Sequence, residues 1–201
     1  MQEKNFYTLP PLPYGRSGLN PYISDEQLSV HYEKHHNNYV EECNKIFEEA
    51  DKKRRDNLEI DMKAISKEFG FNAGGHILHS IFWKCLAPSG RGRGEPSGKI
   101  KDLIEKEFLS FEKFKKEFSA AAFKVEGSGW AAIAVCPQTQ RPLIMQIEKH
   151  NFNVYPAFKI IMLLDMFEHA YYINYKNDKA KYIEGFWDFV NWEFVNRNLG
   201  F

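Results

Sequence analysis

The feature that most constrains this chain of 201 residues is an apolar run that ends abruptly in an acidic side chain. The run covers residues 160–164 and contains only Ile, Met and Leu, and Asp165 follows it directly. A short apolar run of this kind is typical of a buried strand or of the start of a buried helix. A carboxylate is expensive to bury unless it is paired or binds a metal. The sequence therefore predicts that Asp165 lies in the interior and has a partner there.

His169 follows Asp165 by four residues. On a helix, that spacing places both side chains on one face, about one turn apart. Taken alone, such a pair is most often an ordinary helix salt bridge. The pair indicates a metal site only if other segments supply further ligands.

A first set of candidate ligands lies in the predicted helix at residues 25–51. Ser24 can cap this helix, and Gln27 stands three residues later, as in a capping box. His31, His35 and Tyr39 recur every four residues and so form one slowly drifting stripe, with His36 beside it. Two histidines and a tyrosine among apolar neighbours are not typical of a solvated face.

A second set follows a charge-rich stretch, residues 52–67, which we interpret as a connection and a short helix. Residues 72–75 include Gly74 and Gly75 and are predicted to interrupt the helical pattern. Helical character resumes at residues 76–83, where His79 and Trp83 share a face.

The clearest linker is residues 87–98, which are rich in Pro and Gly. It predicts two domains, residues 1–90 and residues 99–201. After the linker, the pattern predicts two amphipathic helices in residues 99–123, split near Ser110, with phenylalanines in the core. Strands are predicted at 130–135, 143–147 and 159–164, and helices at 168–175 and 179–196.

Composition excludes several classes of protein. Lys plus Arg equals Asp plus Glu, at 27 each, so there is no overall field that would favour nucleic acid or an anionic membrane. No apolar run approaches the ~20 residues of a membrane span, and the polar start of the chain favours a cytoplasmic protein. Cys43, Cys85 and Cys136 form no C-x-x-C pair, so we expect buried small residues rather than disulfides or a zinc site.

Four groups are candidates for one site: His31, His79, Asp165 and His169. Three neutral imidazoles and a carboxylate suit a first-row metal such as iron, manganese or zinc. Two alternatives stay open from the residues alone. A non-haem iron oxygenase also uses histidines and a carboxylate but needs two or more open metal positions. A helical interaction protein without metal would use the same histidines as structural residues.

Several blocks of the chain, in order, carry a resemblance to a known family. They are residues 9–14 (LPPLPY), 31–40 (HYEKHHNNYV), 74–83 (GGHILHSIFW), 127–130 (GSGW), 165–172 (DMFEHAYY) and 186–192 (FWDFVNW). With these blocks, the chain resembles the iron/manganese superoxide dismutase family, in particular its archaeal-type branch, whose members use iron, manganese or either metal. The resemblance covers nearly the whole length.

The resemblance implies an α+β fold. An N-terminal antiparallel helical hairpin is followed by a C-terminal domain with a three-stranded antiparallel sheet and surrounding helices. It also implies that superoxide is the substrate and that His31, His79, Asp165 and His169 are the metal ligands. One iron ion per subunit is expected, with manganese as the other metal that the site can use.

Further roles follow from the same resemblance. Tyr39 is expected in the gateway to the metal, and His150 is expected to contact the metal-bound solvent in place of a glutamine. Trp83, Trp130 and Phe167 are expected to form an apolar shell, although the family more usually has a tryptophan at the position of Phe167. Lys34 is a candidate for attracting the anionic substrate.

The resemblance also implies an assembly. Glu168 is expected to reach the metal-ligand histidine of a second subunit, and His35 and Tyr172 are expected to pair across the same interface. The expected unit is therefore a homodimer, with a homotetramer as the larger alternative.

Overall fold

A computed structural model describes residues 6–88, 90 and 94–200. Part of the predicted linker, residues 89 and 91–93, lies outside the described residues, as do residues 1–5 and 201. The predicted domain boundary stays a prediction. Among the described residues, no helix combines the length and the apolar character needed to cross a membrane.

The first half of the described chain is an antiparallel pair of long helices preceded by an arm with one 3-10 turn, Arg16–Leu19. The first long helix consists of α1 (Asp25–Ser29), a π-helical segment (Val30–His36) and α2 (Asn37–Arg55) in direct succession. The predicted helix is confirmed and continues four residues beyond residue 51. No sequence pattern predicted the π-helical segment, a rare geometry that is often associated with functional sites.

The second long helix, α3 (Met62–Cys85), shows that the predicted interruption at residues 72–75 is wrong. The helix continues through Gly74 and Gly75 because these glycines permit close packing. A Cβ atom on Gly74 would lie 2.4 Å from the backbone oxygen of His150, and one on Gly75 would lie 2.8 Å from the ring of Tyr39. Glycine lowers helix propensity by about 1 kcal/mol. At these two positions, however, any larger residue would clash with His150 or Tyr39.

The second half begins with α4 (Lys99–Phe108) and α5 (Phe111–Phe123), and the Ser110 side chain caps α5 by accepting from the N–H of Lys113. Both helices and the position of the split are as predicted. Phe114 and Phe118 are fully buried. The amphipathic pattern therefore predicts these two helices and the buried face of α5.

The sheet has the order β2-β1-β3 and is antiparallel throughout, with β1 (Gly129–Val135), β2 (Pro142–Glu148) and β3 (Lys159–Asp165). Every residue of the central strand β1 is buried, and the apolar run at 160–164 forms most of β3. Trp130 lies opposite Asp165 in the β1–β3 register. All three predicted strands are confirmed, and the register brings an indole next to the acid.

The last segment differs from its prediction. Residues 168–175 form a 3-10 turn (Glu168–Ala170) and a separate short helix, α6 (Tyr172–Tyr175), and the side chain of Gln27 bonds to both parts. Residues 179–196 are divided into α7 (Lys179–Phe186) and α8 (Trp192–Arg197). Between them, Val190 forms a bridge with Leu86 at the end of α3, which requires the backbone to leave the helix.

Candidate metal centre

The four predicted ligands meet at one point. His31 lies in the π-helical segment, His79 in α3, Asp165 at the end of β3 and His169 in the following 3-10 turn. One potential ligand atom from each side chain lies within 4.8 Å of all the others. The Oδ2 atom of Asp165 is 3.0 Å from Nε2 of His31, 3.3 Å from Nε2 of His169 and 3.4 Å from Nε2 of His79.

The relation between Asp165 and His169 is not the helical one that their spacing suggested. Asp165 is the last residue of a strand, and its Oδ1 accepts from the N–H of Phe167 at 2.9 Å. This bond turns the chain back, and the 3-10 turn then returns His169 to the same carboxylate. The pair converges because a strand ends in a tight turn, and an ordinary helix salt bridge is excluded.

Hydrogen bonding directs the lone pair of His79 towards the centre. The Nδ1–H group of His79 donates to the backbone oxygen of Gly75 at 2.6 Å, so the lone pair of this neutral ring is on Nε2. Both Nε2 of His79 and Nε2 of His31 are buried and have no hydrogen-bond partner within the described part of the chain. An unsatisfied buried polar atom costs about 1–3 kcal/mol. Two such atoms beside a buried carboxylate oxygen fit a bound metal ion.

The charge state of the cluster also suits a metal. Burial lowers the pKa of His31 to about 4 and holds that of His79 well below its ordinary value, so both rings are neutral near pH 7. Burial alone would raise the pKa of Asp165, but the imidazoles of His169 and His31 outweigh it and lower the pKa below its ordinary value. Neutral imidazole nitrogens and one carboxylate are donors that iron and manganese accept.

Aromatic rings surround the ligands on several sides. Trp83 stands edge-on to His31 with ring centroids 4.7 Å apart, and Trp130 stands edge-on to His79 at 4.9 Å. The ring of Phe167 stacks on His169 at 4.9 Å. The three predicted members of the apolar shell therefore each contact a different ligand candidate.

A hydrogen-bonded chain lies beside the cluster. The indole N–H of Trp130 donates to Nδ1 of His150 at 3.1 Å, and Nε2 of His150 is 2.9 Å from the hydroxyl of Tyr39. An indole N–H can only donate, so the neutral His150 ring carries its proton on Nε2 and donates to Tyr39. The hydroxyl proton of Tyr39 is then directed to another acceptor. Burial lowers the pKa of His150 to about 4, which keeps this ring neutral.

The other predicted residues lie towards the surface. His35 stacks on His169 with ring centroids 4.3 Å apart. Lys34 is exposed and lines a surface cavity of about 440 Å³ together with His35 and Tyr39. Glu168 and Tyr172 are both exposed. Their predicted role in an interface stays a prediction.

Sequence reasoning missed two residues at the centre. His36 is fully buried, accepts from the indole N–H of Trp83 at 3.0 Å and contacts Nδ1 of His76 at 3.0 Å. An α-helical period predicts that His36 lies beside the stripe, and the π-helical segment changes that period. Gln27, the second residue, is predicted to complete a capping box with Ser24, but its buried side chain bonds to the backbone of residues 169–173 instead. No local pattern indicates a partner so far along the chain.

Comparisons with known proteins agree with this geometry. Residues 6–87 match the α-hairpin domain of the iron/manganese superoxide dismutases, and residues 96–198 match their C-terminal domain. An iron superoxide dismutase of Methanothermobacter marburgensis is 51% identical over 98% of both chains. An iron superoxide dismutase of Pyrobaculum aerophilum is 50% identical, over 96% of this chain and 92% of its own. A manganese/iron superoxide dismutase of Aeropyrum pernix is 47% identical, over 96% of this chain and 90% of its own. The chain therefore belongs to the iron/manganese superoxide dismutase family.

Proposed function

We propose that this protein is a superoxide dismutase that converts superoxide to dioxygen and hydrogen peroxide at one metal ion held by His31, His79, Asp165 and His169. The observation that carries the proposal is the convergence of three imidazole nitrogens on one oxygen of a buried carboxylate. The buried, unpartnered nitrogens of His31 and His79 support the assignment, since a bound ion would satisfy them.

A metal ion held by these four residues would supply one-electron chemistry, through which one superoxide is oxidised to dioxygen and a second is reduced to peroxide. The protein residues hold four donor atoms in place and keep the imidazoles of His31 and His79 neutral through burial. Trp83, Trp130 and Phe167 exclude water around the ligands. In such a dry environment, charge interactions are stronger than in water.

The reaction also needs two protons for each peroxide, and we assign their delivery to Tyr39, with His150 behind it. His150 donates to the phenol oxygen, so the phenol hydrogen is free to point at a solvent or substrate oxygen. Both ring nitrogens of His150 are engaged, by Trp130 and Tyr39, so neither is free for the direct contact with metal-bound solvent that the resemblance implied. This supports a role of His150 exerted through Tyr39. His35, stacked on His169, would complete this group of catalytic residues beside the surface cavity.

Iron is the first choice of metal, and manganese the second. The donor set accepts both, and the relatives named above include proteins named for iron and one named for manganese and iron. The test is elemental analysis of the purified protein, followed by activity assays after reconstitution with iron alone and with manganese alone. We expect about one iron per subunit and activity with either metal. Full activity in protein free of both metals would overturn the proposal.

We further propose that the active unit is a homodimer formed through Glu168, His35 and Tyr172, with a homotetramer as the larger alternative. The exposure of Glu168 and Tyr172 so close to the metal ligand His169 supports this surface. Sedimentation of native protein and of Glu168→Ala tests it. We expect a dimer or tetramer that the substitution weakens. An active native monomer at nanomolar concentration would contradict it.

Two further assignments concern the domain boundary and the cellular location. We place the domain boundary in residues 87–98, supported by the end of α3 at Cys85 and the start of α4 at Lys99. We place the enzyme in the cytoplasm, supported by three cysteines that are all free thiols, as is usual in a reducing compartment. Cell fractionation tests the location, and limited proteolysis tests the boundary.

A further inference from the structure

Gln27 is a fully buried polar side chain whose amide N–H and amide oxygen are both bonded to the segment that carries His169. Its Nε2–H group donates to the backbone oxygen of His169 at 2.6 Å, and its Oε1 accepts from the N–H of Ile173 at 3.1 Å. These contacts join α1, near the start of the chain, to residues more than 140 positions later.

The two bonded backbone groups are four residues apart. In a continuous helix, the N–H of Ile173 would donate to the oxygen of His169. The amide of Gln27 takes up both groups instead, so it stands in place of one helical hydrogen bond. A side chain inserted into the helical ladder is a known cause of a break or bend. This insertion accounts for the division of residues 168–175 into a 3-10 turn and α6.

The start of α1 is arranged in a way that frees Gln27 for this contact. In a complete capping box, the Gln27 side chain would return to the N–H of Ser24. Here that N–H donates to Oδ1 of Asn174 at 2.9 Å, and Nδ2 of Asn174 donates to the Ser24 hydroxyl oxygen at 2.8 Å. The Ser24 hydroxyl still accepts from the N–H of Gln27 at 3.2 Å. Asn174 thus takes the place that Gln27 would fill.

We propose that Gln27 is a positioning residue for the metal centre, which holds the turn of His169 open and so directs Nε2 of that ligand at Asp165. The inference rests on the proposed metal site. Without the amide, residues 168–175 can close into one helix by forming the bond between His169 and Ile173. That closure rotates the backbone of His169 and moves its ring. Through Gln27, α1 of the helical hairpin sets the geometry of a ligand on the other half of the molecule.

Two variants and one matched control test this role. Gln27→Leu keeps a similar volume but makes neither bond, and Gln27→Ala leaves room for water if the first variant folds poorly. Tyr175→Phe is the control, because it removes another hydrogen bond across the same junction, from the Tyr175 hydroxyl to the oxygen of Tyr22 at 2.7 Å, while both Gln27 bonds remain. All are measured as the iron-loaded native assembly.

The readouts are the electron paramagnetic resonance and visible spectra of bound iron and the rate of iron loss to a chelator. Loss of a residue that orients a metal ligand typically lowers metal affinity about 10–100-fold. We expect both Gln27 variants to shift the spectra and to lose iron about tenfold faster, while Tyr175→Phe resembles the native protein. Unchanged spectra and rates in the Gln27 variants would overturn the inference, as would an equal change in Tyr175→Phe.

A further measurement separates this inference from the proposed function. The imidazole NMR shifts of His169 in metal-free protein report the position of its ring whether or not iron binds. They should change in Gln27→Leu and not in Tyr175→Phe, and identical shifts in all three proteins would count against the inference. A native chain that binds neither iron nor manganese would instead sink the proposed function.

Discussion

The two halves of the molecule hold their metal-ligand candidates in different ways. His31 and His79 lie on long helices, and both side chains are fully buried between aromatic rings. Asp165 and His169 lie on a strand end and a three-residue turn, and the His169 side chain is 12% exposed. The helical pair is fixed by packing along regular elements. The other pair is fixed by individual hydrogen bonds, from the N–H of Phe167 to Asp165 and from Gln27 to the backbone of His169.

The two pairs therefore contribute different properties to the site. The helices supply two neutral donors whose protonation is suppressed by burial. The strand and turn supply the negative charge and a ligand close to the surface where His35, Glu168 and Tyr172 gather. The long helices hold His31 and His79 in fixed positions. The strand end and the turn allow the charged Asp165 and the partly exposed His169 to lie side by side.

The largest expected effect comes from removing one ligand from each half. We expect His79→Ala and Asp165→Ala to lose bound metal and activity together, because each leaves three donors, and Asp165→Ala also removes the charge. Metal content and superoxide dismutation, measured on the same folded preparation, check this. His76→Asn is the control on α3, since His76 contacts His36 and not the cluster. Normal metal content with normal activity in His79→Ala would refute the assignment of that ligand.

The next effect is on the stability of the metal-free protein as a function of pH. The pKa values of His31 and His150 are both lowered by burial to about 4 from an ordinary 6.5. Between these values the unfolded chain binds more protons than the native one. The contribution of these two histidines to the free energy of unfolding is therefore fully present above pH 6.5 and is lost as the pH drops towards 4. Each histidine contributes a slope of about 1.4 kcal/mol per pH unit in that window.

Denaturant unfolding of the metal-free protein at several pH values measures this slope. His150→Gln should reduce the slope by the contribution of one histidine, while the contribution of the helical His31 remains. A slope that is the same with and without His150 would show that this ring is not held neutral by the fold.

The sequence was informative where the site depends on regular elements. The positions of His31 and His79 on helices and of Asp165 at the end of a buried strand could be predicted, since burial and periodicity leave a pattern in the residues. The sheet and the amphipathic helices of residues 99–123 were predictable for the same reason. The convergence of the four ligand candidates could only be suggested from their residue types and then implied by the family resemblance, because it depends on contacts between distant segments.

The errors cluster where a distant side chain overrides local propensity. Gly74 and Gly75 suggested a break, yet they lie inside α3 because His150 and Tyr39 approach them. Residues 168–175 suggested one helix, yet Gln27 divides it. In both places the partner lies far along the chain, so no local window contains the cause.

The glycines of α3 offer a smaller and sharper test of that explanation. Gly74→Ala should destabilise the protein by about 1–3 kcal/mol, the usual effect of overpacking, because its Cβ would lie 2.4 Å from a backbone oxygen. Gly70→Ala is the matched control in the same helix, since its nearest neighbour would be 3.5 Å away. It should be neutral or stabilising by up to about 1 kcal/mol. Equal effects of the two substitutions in thermal unfolding would contradict the close-packing account.

The smallest expected effect concerns His150, which lies where the two halves meet and whose substitution should preserve the local bonds. A glutamine at this position can accept from Trp130 with its oxygen and donate to Tyr39 with its amide, as the imidazole does now. His150→Gln should therefore keep the metal bound. The change is in the donor to Tyr39, from a ring that can titrate to an amide that cannot.

Hydrogen bonds around a metal site shift the reduction potential of the bound metal, and iron and manganese need shifts of different size. We therefore expect His150→Gln to change the ratio of iron-supported to manganese-supported activity by several-fold while metal content stays constant. Activity per bound metal in iron-only and manganese-only preparations measures that ratio. The helical ligands are the same in both proteins, so a change in the ratio locates metal preference in the contact between His150 and Tyr39. An unchanged ratio would remove His150 from the catalytic group and leave it as a packing residue against Gly74 and Phe167.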